Sequence, residues 1–311
     1  MGIAQLVYAD GMFEMAFACL AGTEAQARHA LLLAESLRAF GGRLAGSPVM
    51  ALIPVAGVVG PELEAGLLSC DADLVPFALP APLDKVPLAE RAAGAAQAEV
   101  AAQEIARLLV WLDSDSLILR EPLGLQIRPE ARIGCRPVDL RLIGSPWDEK
   151  PDAFWEAIYA GCGVKHDSIF PVRTTVEGQA IRAYFNAGCL VVRPEARLLR
   201  RWQAAILTLA GRDEFGALSG RERLFFHQAV LAGTLLAALS REEIAELPST
   251  VSYPLHLHKR VPNDRQPASL RQVELFRYES VFDLDDWGSR VPVDDDLRAW
   301  LEARRWLARN G

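Results

Sequence analysis

The chain has 311 residues, 51% of them hydrophobic, with a net charge of -7 and no dense run of Lys or Arg. That is enough apolar material for one large α/β domain, or one domain with an appended tail. It excludes the basic stripe that a nucleic-acid groove needs, so an anionic substrate must be met locally, by a metal ion or a few placed arginines.

Glu14 to Gly22 is a short apolar run ending in glycine and reads as a buried strand. Thr23 followed by Gln26 has the form of a helix capping box, and Ala27, Ala30, Leu31, Ala34 and Leu37 then recur at helical spacing up to Gly41-Gly42. Val49 to Pro54 is the next strand, Pro61 to Cys70 a short helix and Asp73 to Leu79 a third strand. Such alternation is the signature of a parallel sheet with helices on its faces. After a proline-marked loop, Leu88 to Ala106 predicts a helix rich in Ala, Glu and Gln. Leu108 to Leu112 is an apolar core strand running straight into Asp113.

Further strands are expected at Arg132 to Val138 and in Ala183 to Val192. Helices are expected at Pro151 to Ala160, Glu195 to Ala210 and Arg221 to Leu239, with a second capping box at Ser240 and Glu243. Leu247 to Lys259 is loop and short strand and carries His256 and His258. The polar stretch from Pro262 closes with a helix at Asp294 to Arg309, acidic at its start and basic at its end as the helix dipole prefers. Trp287, Trp300 and Trp306 are expected to anchor it to the body of the protein. The five cysteines (19, 70, 135, 162 and 189) form no C-x-x-C pair and read as small hydrophobes in a reducing compartment. No signal-peptide pattern opens the chain, and Val49 to Gly60 is too short and too broken to span a bilayer, so a cytoplasmic protein is expected.

The strongest chemical signal is VWLDSDSLIL, residues 110 to 119. A buried strand delivers Asp113 and Asp115 to its carboxyl end, where open α/β sheets bind ligands. Carboxylates this close repel each other unless a cation lies between them, and Mg²⁺ or Mn²⁺ there could also take a diphosphate. Simple turn capping by the two aspartates is the plainer alternative.

WLDSDSLIL, then YFNAGCLVVRP, then the His227-Gln228 pair on a helix, then LPSTVSY, together resemble the GT-A glycosyltransferases. The nearest pattern is the glycogenin and bacterial galactosyltransferase-like group, matched in order and spacing over roughly residues 14 to 260. The resemblance implies a GT-A, Rossmann-like α/β fold with a mostly parallel central sheet, helices on both faces and a C-terminal tail. Its division would be a nucleotide-sugar-binding catalytic domain at 1–261 and an extension packing on it at 262–311. It implies transfer of a sugar from a nucleotide-diphosphate sugar, a UDP-sugar, to a saccharide or other hydroxyl acceptor.

By the same resemblance Asp113 and Asp115 hold Mn²⁺ or Mg²⁺, with His256 or His258 completing the metal shell, and Ser114 belongs to the diphosphate site. Asn186 and Gln228 orient the donor sugar, and Ala187 and Gly188 complete the sugar-site turn. His227 departs from the family, which has Asp there. The loop Ala21-Gly22-Thr23 would seat the nucleoside at a helix N-terminus. Arg173 and Arg182 are candidates for substrate phosphate, and Asp139 and Asp167 for a general base. Two rival readings are a GT-A-like domain that binds a nucleotide sugar without turnover, and a haloacid-dehalogenase-type phosphatase with Asp113 as nucleophile.

Overall fold

A computed structural model describes residues 11–218 and 220–309. The outermost positions of the expected segments 1–261 and 262–311 lie outside the described residues. The expected alternation is present: β1 (Phe13–Leu20), α1 (Glu24–Phe40), β2 (Val49–Pro54), α2 (Pro61–Ser69), β3 (Ala72–Phe77), α3 (Ala89–Ala102) and β4 (Ala106–Leu112). The middle of the chain adds β5 (Ser116–Ile118), β6 (Ile133–Pro137), α4 (Ala153–Cys162), β7 (Pro171–Arg173), β8 (Ala180–Arg182) and β9 (Phe185–Val192). Then come α5 (Leu198–Ala210), α6 (Asp213–Gly216), α7 (Gly220–Ala238), β10 (Ile244–Glu246), β11 (Tyr253–Pro254) and β12 (Leu275–Arg277). The chain closes with α8 (Trp287–Arg290), α9 (Asp295–Glu302) and α10 (Arg305–Ala308).

The central sheet has the order β10-β6-β9-β4-β1-β2-β3. Only β9 runs against its neighbours β4 and β6; the other pairings are parallel. The sheet separates two apolar layers, as the alternation along β1 shows. Met15, Phe17 and Cys19 face the layer that holds α1, α2 and the C-terminal segment, while Ala16, Ala18 and Leu20 face that of α3, α4, α5 and α7. Each large side chain fully buried this way, such as Phe17 or Met15, contributes about 2 kcal/mol of transfer free energy. The alanine-rich face of α3 lets that helix lie close over β1, β2 and β4.

Local signals were read correctly in kind and shifted in detail. Thr23 Oγ1 accepts from Gln26 N at 3.2 Å, but the Gln26 side chain reaches back to Gly22 N at 3.0 Å, not to Thr23. The Ser240–Glu243 capping box forms, on a single 3₁₀ turn. The helix expected from Glu195 starts only at Leu198, because Arg197 turns left-handed at φ 57°. The closing helix is two pieces, α9 and α10, broken at residues 303–304. Trp287 is buried and Trp300 packs on Phe40 at 5.0 Å, whereas Trp306 is 59% exposed and anchors nothing. Among the described residues no helix is long and apolar enough to cross a membrane.

The C-terminal segment is built into the fold through β12, which pairs antiparallel with β5 and parallel with β11. The register sets Arg277 opposite Ser116, and Tyr278 N donates to Asp115 O at 3.0 Å. This pairing brings residue 277 beside the aspartates.

Candidate active site

β4 and β9 run antiparallel, so the end of one meets the start of the other. Leu112 faces Cys189, and Asp113 N donates to Gly188 O at 2.8 Å. The Asn186-Ala187-Gly188 turn is therefore set against Asp113. Asn186 Oδ1 accepts from Gly188 N at 2.9 Å, and Gln228 Oε1 on α7 accepts from Ala187 N at 3.2 Å. Asn186 Nδ2 reaches Asp139 Oδ2 at 3.5 Å, and Thr175 also donates to Asp139. Four sequence candidates (Asp113, Asn186, Gly188 and Gln228) thus form one connected frame.

Two further arginines complete it. Arg91, in the first turn of α3, spans both Asp113 carboxylate oxygens at 2.8 and 3.0 Å. Arg277, at the end of β12, lies 3.6 Å from Asp113, 3.8 Å from Asp139 and 3.1 Å from Glu279. Leu88 and Glu279, which flank this frame, hold left-handed backbone at φ 60° and 47°. For side chains of that size the conformation costs about 1–3 kcal/mol, and such strain collects at functional sites. No local motif marks either arginine; both are found only once strand pairing is known.

Two clefts meet at this frame and share Arg91. The smaller, about 180 Å³, is lined by Ala25, Gln26, His29, Trp111 and the run Leu112 to Asp115, which includes Ser114. The wider, about 360 Å³, is lined by Asp139, Asn186, His227, Gln228, His256, Arg277 and Glu279 among others. Ala21, Gly22 and Thr23 do not line the smaller cleft; the next turn of α1 does. Gly22 N and Gln26 N are bonded within the turn, to the Gln26 and Thr23 side chains. Arg173 holds Gly178 O across its own hairpin, Arg182 holds Pro146 O and Glu149 O of the segment before α4, and neither lines either cleft. Asp167 is exposed and lines neither cleft, while Asp139 lines the wider one.

His227 is buried and kept neutral. Burial first, and the nearby Arg91 second, push its pKa down to about 3. Asp115 moves the other way: burial first, then Asp113, push its carboxyl up to about 6 from the ordinary 3.8, against the pull of Arg277 and Arg91. The folded protein then holds a proton that the unfolded chain releases in that window, so this group's contribution to stability falls as pH rises through it. Asp115→Asn cannot ionise. We expect it to raise the melting temperature above pH 7 and leave it unchanged near pH 4; parallel Tm–pH curves for variant and parent would remove this account.

The residues do not suit the expected Mn²⁺ or Mg²⁺. Asp113 and Asp115 are adjacent, but His256, expected as their partner, turns its Nε2 to Glu279 at 3.2 Å. Among the described residues no three His, Cys, Asp or Glu side chains are grouped to hold an ion. The Arg277 guanidinium stands beside Asp113 instead, at 3.6 Å, because β12 ends there.

A mixed sheet with one reversed strand, set against an aspartate pair at the end of β4, gives the protein the GT-A glycosyltransferase fold. An active-site mutant of LgtC superposes with a TM-score of 0.52 at 14% identity, over 94% of this chain and 95% of that one. The apo bifunctional glycosyltransferase WbbM gives 0.52 at 10% identity, over 96% of this chain, which spans 52% of WbbM. GlyE of Streptococcus pneumoniae, in apo form, gives 0.49 at 11% identity, over 93% of this chain and 64% of that one. At such identities the likeness is one of fold. The chain belongs to the Rhodobacterales glycosyltransferase domain family, whose pattern matches residues 17–237. No curated protein sequence matches it.

Proposed function

We propose that this enzyme transfers a hexosyl group from a nucleoside-diphosphate sugar, a UDP-sugar, to a hydroxyl of a saccharide acceptor. The observation that carries the reading is a set of buried polar atoms without a protein partner on residues lining the two clefts. His29 Nε2 and Trp111 Nε1 belong to the smaller cleft, and His227 Nε2 and His256 Nδ1 to the wider one. A buried polar group left unpaired costs about 1–3 kcal/mol, so orphaned atoms on residues that line two joined clefts support a polar ligand there.

In this reading the nucleotide occupies the smaller cleft against α1 and Trp111, with the diphosphate at Asp113-Ser114-Asp115. The sugar extends past Asn186, Gly188 and Gln228 into the wider cleft. Gln228 acts in part by holding the turn through Ala187 N. Replacing it with alanine is expected to lower kcat/KM by about tenfold to a hundredfold, or about 1–3 kcal/mol of transition-state stabilisation. Steady-state kinetics with a saturating acceptor measures this directly. Asp139, held by Thr175 and Asn186, is the candidate base for the acceptor hydroxyl. The segment 262–311, read as an extension of a 1–261 catalytic domain, supplies Arg277 and Glu279 to the wider cleft, which supports a role in shaping the acceptor side. A cytosolic setting belongs to the same reading, since all five cysteines are unpaired.

The test is a calorimetric panel of UDP, GDP and ADP, followed by transfer assays with sugars of whichever nucleotide binds. Binding of one nucleotide with sugar release from its conjugates supports the proposal. Absence of binding to every nucleoside diphosphate ends it.

A further inference from the structure

We propose that a guanidinium, that of Arg277 seconded by Arg91, does the work expected of a divalent ion. The donor diphosphate is held, and its departing charge met, by arginine, so that binding and transfer run without metal. The inference rests on the nucleotide-sugar reading above and deepens it.

Arg277 is only 16% exposed and has carboxylates on several sides: Asp113 at 3.6 Å, Asp139 at 3.8 Å and Glu279 at 3.1 Å. Its strand fixes it there through the pairing with Ser116 and the bond from Tyr278 N to Asp115 O. An ion placed between Asp113 and Asp115 would stand against this positive charge. Admitting the ion would require the guanidinium to draw back from Asp113. Burial alone lowers the basicity of Arg277, but Asp115, Asp113, Asp139 and Glu279 together raise it above the ordinary arginine value, so the charge is permanent. A guanidinium presents a planar fork of donors that matches two phosphate oxygens, and it is less hydrated than an ammonium. Arg91 lines both clefts, where a bridging diphosphate lies.

Of the carboxylates around Arg277, Glu279 is the one able to give way, being 47% exposed. A phosphate taking its place exchanges one anion for another, and the buried Asp113 stays to hold both arginines. In transfer, the bond from the anomeric carbon to the β-phosphate oxygen breaks and its electron pair stays on that oxygen, facing the arginines. A bond forms from the anomeric carbon to the acceptor oxygen, whose proton passes to a carboxylate, with Asp139 standing in the cleft to receive it.

The experiment uses full-length protein stripped with EDTA and titrated with the nucleoside diphosphate panel, in chelator and then in excess Mn²⁺. UDP is expected to bind with the same affinity, within about twofold, in both. Arg277→Ala is expected to weaken it by at least about tenfold, and Arg277→Lys to retain part of the loss. A second readout is independent of nucleotide. Mn²⁺ alone, followed by electron paramagnetic resonance, should not bind the parent, whereas Arg277→His, which removes the guanidinium and leaves an imidazole beside two aspartates, should gain binding. UDP binding that is lost in EDTA and restored by Mn²⁺ overturns this inference and leaves the nucleotide-sugar reading standing. No binding of any nucleoside diphosphate in either condition overturns both.

Discussion

Alanine at position 188 is expected to remove turnover almost entirely while the protein still folds. A Cβ on Gly188 would lie 2.2 Å from Asp113 Oδ2, 2.7 Å from Asp113 Cγ and 3.2 Å from Asn186 Oδ1. The backbone at 188 is ordinary extended strand, so alanine meets no conformational penalty there; the conflict is with the carboxylate alone. The strand cannot retreat, because β9 is paired on both sides and Gly188 O accepts from Asp113 N. Asp113 must therefore swing away, and it gives up the contacts with Arg91 and Arg277 as it does so. A misplacement of this size in a reacting frame costs about a hundredfold in kcat/KM, or about 2.7 kcal/mol. The overpacking itself is expected to cost about 1–3 kcal/mol of stability. Kinetics and thermal melting on the same preparation separate the two effects. A Gly188→Ala enzyme with more than half of parental activity would mean that Asp113 takes no part in the site.

Glu99→Ala is expected to give the largest loss of stability. Glu99 is fully buried on α3, yet every part of its carboxylate is used. It accepts from Leu199 N at 3.0 Å and Arg200 N at 3.1 Å, and pairs with Arg200 Nε at 2.9 Å. It thus caps the start of α5 from a neighbouring helix, the role that Arg197 at the N-cap position does not fill. Removing it leaves the Leu199 and Arg200 N–H groups without their acceptor and takes the carboxylate from Arg200, which keeps only Pro194 O and Gln103. Breaking such a buried pair costs about 3–5 kcal/mol, and loss of a helix cap alone about 1 kcal/mol. We expect destabilisation of at least about 3 kcal/mol, with Glu99→Gln, which keeps an acceptor for the N–H groups, costing roughly half as much. Denaturant titration of both variants measures this. Equal losses in the two would show that the charge, not the cap, carries the effect.

The fold was largely legible because its signals are local. The strand–helix alternation up to β4, the apolar run that ends in Asp113 and the Asn-Ala-Gly turn all declare themselves within a few residues. The aspartates and the turn meet because β4 and β9 pair, and their order in the chain was enough to suggest it. Arg91 and Arg277 were not legible, since each looks like any exposed arginine on a helix or a short polar strand. Their place depends on α3 crossing β4 and on β12 joining β5, which are contacts between distant parts of the chain. The resemblance offers His256 to the metal shell; its neighbour in the fold is Glu279, two residues beyond the end of β12. At the start of α1, Gln26 folds back on Gly22, and the cleft beside the aspartates is lined by Ala25, Gln26 and His29 instead of Ala21, Gly22 and Thr23.

The pairing of β12 with β5 has a consequence for the order in which the enzyme comes into being. Residues 17–237, the stretch that defines the family, contain both aspartates, the Asn-Ala-Gly turn and Gln228, but not Arg277. During synthesis the central sheet can therefore assemble while its acidic pocket still lacks one of its two arginines. Only when the last strand leaves the ribosome and docks on β5 does the pocket acquire that charge. A chain cut short before β12 would carry the matched stretch and an acidic pocket without the Arg277 charge. The charge beside the strand-end aspartates is thus encoded outside the central sheet, in a short strand that joins β5 and β11.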